Sequence, residues 1–125
     1  MPGVFNPKKF LDLGKKLLMD KGYDEDSRVR TAIGRIYYAA FIVALKKLER
    51  EGITFRDPTK IHQKVIGAYM DNGFTDIGDK LNQLRERRRD ADYNMMAELA
   101  FNECRGYAQL SERTIFLIEQ ISAFP

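Results

Sequence analysis

Apolar residues recur at intervals of three and four along most of the chain, and no stretch alternates at period two. After Asn6-Pro7, an N-cap candidate with proline at the first helical position, come Phe10, Leu13, Leu17 and Leu18, and Gly22 closes the run. The pattern predicts a helix over about 7–21. A second and longer helix is predicted from near Asp26 or Ser27 to Gly52, with Val29, Ile33, Ile36, Tyr37, Ala40, Phe41, Ala44, Leu45 and Leu48 on one broad face. Ile53 and Thr54 open a loop through Pro58, because a β-branched pair with no neighbouring strand has nothing to hydrogen-bond with.

A third helix follows from about Thr59 to Asp71, presenting Ile61, Val65, Ala68 and Tyr69 and closed by Asn72-Gly73. The fourth runs from about Thr75 to Tyr93. A fifth begins around Ala97 and sets Ala100, Cys104, Tyr107, Ser111, Thr114 or Ile115, Ile118 and Ile121 on a common side. The expected architecture is all-α: an antiparallel bundle of four main helices plus a shorter fifth helix, in a single domain over residues 1–125. A chain of 125 residues supports one core and leaves little room for a second domain.

The fourth helix breaks its own pattern. Ile77, Leu81, Leu84 and Ala91 share a stripe, and the slot between Leu84 and Ala91 belongs to Arg88. A guanidinium in that slot must be paired, face a polar cleft or meet another chain. Asp92, at i+4, is within reach to orient it, and Tyr93 follows. Two plainer readings compete with a functional one. An exposed i,i+4 pair is worth only about 0.3 to 0.5 kcal/mol, and a pair buried between helices fixes packing and catalyses nothing. The functional reading is a phosphate held by the planar fork of Arg88.

Charge narrows this further. The formal net charge is +3 and the pI about 9, a lean towards an anionic partner. Residues 85–92 hold four arginines against Glu86, Asp90 and Asp92, so the segment is not a basic arm that binds by charge alone. Recognition there has to be local and geometric. In the long helix, Arg35 and Tyr38 stand three apart on the flank of the core residues Tyr37 and Phe41, where they could frame a groove around Arg88. His62, one turn into the third helix, reads first as a capping or packing residue and second as an acid or base.

Other chemistry is set aside. With one cysteine, Cys104, and one histidine, neither an intrachain disulfide nor a metal site of the usual kind can be assembled, and no cofactor motif is present. No apolar run approaches the roughly 18 residues of a membrane span, and Lys8, Lys9, Asp12, Lys15 and Lys16 interrupt the apolar positions near the start. A soluble cytoplasmic protein without membrane attachment is the expectation.

Gly34-Arg35-Ile36-Tyr37-Tyr38-Ala39-Ala40-Phe41, then His62, then Leu84-Arg85 and Arg88 leading into Ala91-Asp92-Tyr93, resemble the HEPN family (higher eukaryotes and prokaryotes nucleotide-binding). The resemblance runs from about Lys8 to Ile121 and is strongest to the small stand-alone prokaryotic branch. It implies a homodimer with its motifs facing across the interface, associated with RNA or a nucleotide. It also implies a toxin-like role beside a minimal nucleotidyltransferase partner, with metal-independent endoribonuclease activity and no cofactor. On the residues that match, it implies Arg88, Asp92 and Tyr93 as catalytic, and Arg35, Tyr38, Arg85 and His62 as phosphate- or nucleotide-binding.

One departure has a physical cost. The family signature places a histidine four to six residues after its arginine, whereas this chain has Tyr93 after a four-residue gap and no histidine from Arg88 onward. In metal-free RNA cleavage, a general base or acid is worth on the order of 100- to 10,000-fold, and histidine suits both roles. Tyrosine, with a reference pKa of about 10, serves as a donor more readily than as a base. Binding by Arg88 is therefore a firmer expectation than cleavage, and a non-catalytic helical dimerisation or interaction module is the alternative.

Overall fold

Asp24 accepts a hydrogen bond from Ser27 N at 3.1 Å, and this cap starts the longest helix slightly earlier than the apolar pattern suggests. The computed structural model describes residues 5–99 and 101–125, and every regular element among them is an α-helix. The order is α1 (Lys8–Met19), α2 (Glu25–Arg50), α3 (Ile61–Asp71), α4 (Thr75–Tyr93) and α5 (Phe101–Glu119). The 11 residues of α3 make it the shortest. No helix of the described residues is long and apolar enough to cross a membrane.

The centre of the fold is α2, whose 26 residues span about 39 Å at helical rise. It packs against α1, α4 and α5 and, more lightly, α3. Val29, Ile33, Ile36, Tyr37, Ala40, Phe41, Ala44 and Leu48 are buried as their spacing requires, with only Leu45 half-exposed. Among the buried hydroxyls, four reach a backbone carbonyl: Tyr107 to Leu84 O at 2.5 Å, Thr114 to Leu110 O at 2.7 Å, Tyr69 to Ala44 O at 2.8 Å and Ser111 to Ile36 O at 2.9 Å. Satisfying them avoids a desolvation cost of about 1 to 3 kcal/mol each. The close approach of α1 depends on Gly14, where an added Cβ would meet Ile36 Cγ1 at 2.7 Å and Ala32 O at 3.1 Å.

The helix ends depart from the apolar pattern where backbone chemistry decides. At Gly52 (φ +80°) and Gly73 (φ +88°) the chain turns left-handed, and Ile53 N and Phe74 N return to Leu48 O and Tyr69 O at 2.9 and 2.8 Å. These are the paired bonds that close a helix around a glycine. α1 ends at Met19 rather than near 21, because Asp20 is extended and its carbonyl accepts from Arg28 Nη1 at 2.8 Å. α3 starts at Ile61 rather than Thr59, because Lys60 adopts φ +59°. α5 starts at Phe101 rather than around Ala97, where the backbone is still turning. Ala100 lies outside the described residues. Ile53 and Thr54 form a loop, as expected.

Candidate anion-binding site

Leu84 is fully buried and Ala91 nearly so, and Arg88 stands between them with 16% of its side chain exposed. The apolar stripe of α4 thus turns a cation inward, and the neighbours show how it is accommodated. Its Nη2 donates to Tyr38 Oη at 3.3 Å, and its guanidinium carbon lies 5.4 Å from the Tyr38 ring centroid, 5.8 Å from Tyr93 and 6.0 Å from Tyr37. Its Nε is 2.8 Å from Asp92 Oδ2, yet the N–H does not point along that line, so the contact is ionic rather than a directed hydrogen bond. Asp92 keeps 35% of its side chain exposed. Such a pair contributes about 1 kcal/mol at most, similar to one cation–π contact at an exposed site. The aromatic box therefore holds Arg88 as much as the carboxylate does.

Behind the box, α2 and α3 meet through a histidine. Tyr37 Oη lies 2.6 Å from His62 Nδ1, and the His62 ring stacks on Phe41 with centroids 4.1 Å apart. Burial pushes the Tyr37 phenol well above its ordinary range, so it keeps its proton and donates to Nδ1. This assigns the remaining ring proton of His62 to Nε2. Burial first, then the charges of Arg88 and Arg85, hold the His62 pKa below its usual value. Both charges that act on His62 are positive, and the same two arginines act on Tyr37.

Arg85 and Arg35 complete the cationic side. Among the described residues neither makes an ion pair or hydrogen bond, and Arg35 Nε is buried without a partner. The Arg35 guanidinium carbon lies 5.5 Å from the Tyr38 centroid and 5.3 Å from that of Phe10. Tyr38 thus lies close to two guanidiniums, while Arg35 also reaches towards α1. Of the three arginines, Arg88 alone pairs with a carboxylate among the described residues, that of Asp92. A partly solvated cluster with excess positive charge and planar donors is suited to a phosphate or another oxyanion.

Every residue singled out from the sequence falls in or beside this cluster. Arg88, Asp92, Tyr93 and Tyr38 touch directly, His62 and Arg85 join through Tyr37 and the electrostatic field, and Arg35 joins through Tyr38. The other arginines of the run diverge. Arg87 pairs with Glu103 of α5 and lies 3.7 Å from Asp90, while Arg89 lines an open cleft of about 620 Å³ with Glu86, Asp90, Tyr93 and Asn94.

Sequence reasoning missed Arg30. From α2 it donates to Asp90 O at 3.2 Å, Ala91 O at 3.0 Å, Asn94 O at 3.1 Å and Ala97 O at 3.1 Å, with Nε 3.2 Å from Asp26 Oδ1. These carbonyls lie at the end of α4 and in the turn beyond it, those of Asp90 and Asn94 also accepting from Asn94 N and Ala97 N at 3.0 and 3.1 Å, and there a cation meets the negative end of the helix dipole. Arg30 thereby fixes the turn of helix that carries Asp92 and Tyr93. Its partners at the end of α4 and beyond are backbone atoms, which no residue pattern displays.

No protein-family model matches the chain. An uncharacterised protein of Methanocaldococcus jannaschii is similar, at 27% identity over 119 residues, a match covering 80% of this chain and 67% of that protein.

Proposed function

We propose that the protein is a HEPN-like, RNA- or nucleotide-associated helical domain that binds phosphate at Arg88 and works as the toxin-like partner of a minimal nucleotidyltransferase in the cytoplasm. In this reading the five helices form an antiparallel bundle of four main helices plus a shorter one, and two copies pair as a homodimer. One observation carries the proposal: Arg88 is held half-buried by three tyrosine rings, beside Arg85 and Arg35, and among the described residues Asp92 is the one carboxylate paired with it. A cation placed for packing alone would be neutralised more completely.

Metal-independent endoribonuclease activity is the stronger form of the proposal. Arg88 then steadies the charge developing on the scissile phosphate, Tyr93 donates a hydrogen bond or proton, and His62 supplies the imidazole that α4 lacks. Tyr93 is 71% exposed and accessible to a substrate. The alternative is a non-catalytic dimerisation or interaction module. It is favoured by the exposed run of Tyr93, Met95 and Met96 at the end of α4, and by the two partners that Arg88 already has.

The test is incubation of single-stranded RNA with purified protein and EDTA, alongside Arg88→Ala. Cleavage or binding lost in the variant supports the site; equal behaviour of the two proteins removes Arg88 from any functional role.

A further inference from the structure

One side of the cluster continues beyond Arg88 in a way that phosphate binding at a single arginine does not use. From Tyr38 the aromatic contacts pass to Phe10 of α1, with centroids 6.5 Å apart, and from Phe10 to Phe5, 4.9 Å away at an interplanar angle of 62°. Phe5 is 50% exposed. Arg35 lies over both Phe10 and Tyr38, and since Arg88 lies 5.4 Å from the same Tyr38 ring, the two guanidinium carbons are no more than about 11 Å apart. No carboxylate among the described residues pairs with Arg35.

We propose that this face is a track for single-stranded RNA, in which Arg88 and Arg35 hold two phosphate groups of one strand beside Tyr38, and Phe5 with Phe10 forms a stacking platform for a base. The proposal rests on the phosphate role of Arg88 and adds a second phosphate contact and a base subsite on α1 and the residues before it. Phe5 is exposed, and Phe10 and Tyr38 are partly buried; accessible aromatic rings beside arginines are the arrangement by which proteins hold single strands, since every base offers a π-face and every linkage a negative charge. The small charge excess of residues 85–92 points the same way, because affinity then has to come from stacking and a few placed cations. A free mononucleotide would engage Arg88 without needing the platform.

Fluorescence anisotropy with a labelled single-stranded RNA oligomer, and calorimetry with a nucleoside monophosphate, separate these contributions across wild type, Phe5→Ala, Arg35→Gln and Arg88→Ala. Phe5→Ala should weaken RNA binding by about fivefold or more while leaving the mononucleotide unaffected. Arg35→Gln should weaken RNA binding and reduce the slope of log K against log salt by about 0.7, the signature of one lost single-strand phosphate contact. Arg88→Ala should weaken both ligands. If Phe5→Ala and Arg35→Gln bind RNA like wild type while Arg88→Ala does not, the track is wrong and the phosphate site stands. Equal losses for RNA and mononucleotide in Phe5→Ala would mean a single-nucleotide site and would also overturn the track. Failure of wild type to bind either ligand would overturn both proposals. Phe5 is half-exposed, and thermal unfolding of Phe5→Ala and Arg35→Gln checks that both variants remain folded.

Discussion

Tyr37 Oη and His62 Nδ1 lie 2.6 Å apart, so the only histidine of the chain is tied from α3 to the centre of α2, 25 residues away in sequence, beside the arginines of α4. The bond sets the histidine tautomer, and burial followed by the neighbouring positive charges lowers its proton affinity.

A pH dependence follows. Burial, then Arg88 and Arg85, lower the His62 pKa in the folded state from its reference of 6.5. The unfolded chain therefore binds the proton more readily than the folded one. The contribution of neutral His62 to stability is fully present above about pH 6.5 and is lost as the pH falls towards the folded pKa. An NMR titration should give a His62 midpoint below 6.5, and the matching slope in stability should disappear in His62→Gln. A midpoint at or above 6.5 would mean that the imidazole does not feel the arginines.

Asp92→Ala should cost less than about 1 kcal/mol in a urea titration, because its partly exposed carboxylate forms an ion pair that solvent screens. A loss of about 3 kcal/mol or more would reveal a buried structural pair and favour a packing role for Arg88.

Arg30→Ala should cost about 2 kcal/mol, since it removes charged hydrogen bonds to the backbone carbonyls of Asp90, Ala91, Asn94 and Ala97. Hydrogen exchange should accelerate in the last turn of α4 and through residue 97 before the rest of the core responds. Uniform acceleration across all helices would contradict a local anchoring role.

Gly14→Ala should destabilise the fold by roughly 1 to 3 kcal/mol despite the better helix propensity of alanine. The new Cβ meets the Ala32 carbonyl on α2, which cannot move aside as a flexible side chain would. A melting temperature equal to or above that of wild type would show that α1 does not approach α2 this closely.

Periodicity was enough to locate α2 and α4 and to single out Arg88, because burial of Leu84 and Ala91 leaves an intervening residue no other direction. It also brought Tyr38 to Arg88, since both lie on the facing sides of helices that pack together. It could not orient Arg35 fully, because the apolar stripe of α2 does not say which neighbour each flank meets. The flank of Arg35 reaches Phe10 of α1 as well as Tyr38. Nor could it place His62, whose role depends on the phenol of Tyr37 across a helix pair. Arg30 was hidden for a different reason: it binds the backbone, and carbonyl groups look alike in every sequence.

The most direct test of phosphate binding at Arg88 is the affinity of a single-stranded RNA oligomer for Asp92→Asn compared with wild type and Arg88→Ala. Neutralising the carboxylate 2.8 Å from Arg88 Nε removes the competitor of an incoming phosphate. Binding should therefore tighten severalfold in Asp92→Asn and fall with a shallower salt dependence in Arg88→Ala. Unchanged or weaker binding in Asp92→Asn, with Arg88→Ala indistinguishable from wild type, would contradict a phosphate role and leave Arg88 as a packing residue.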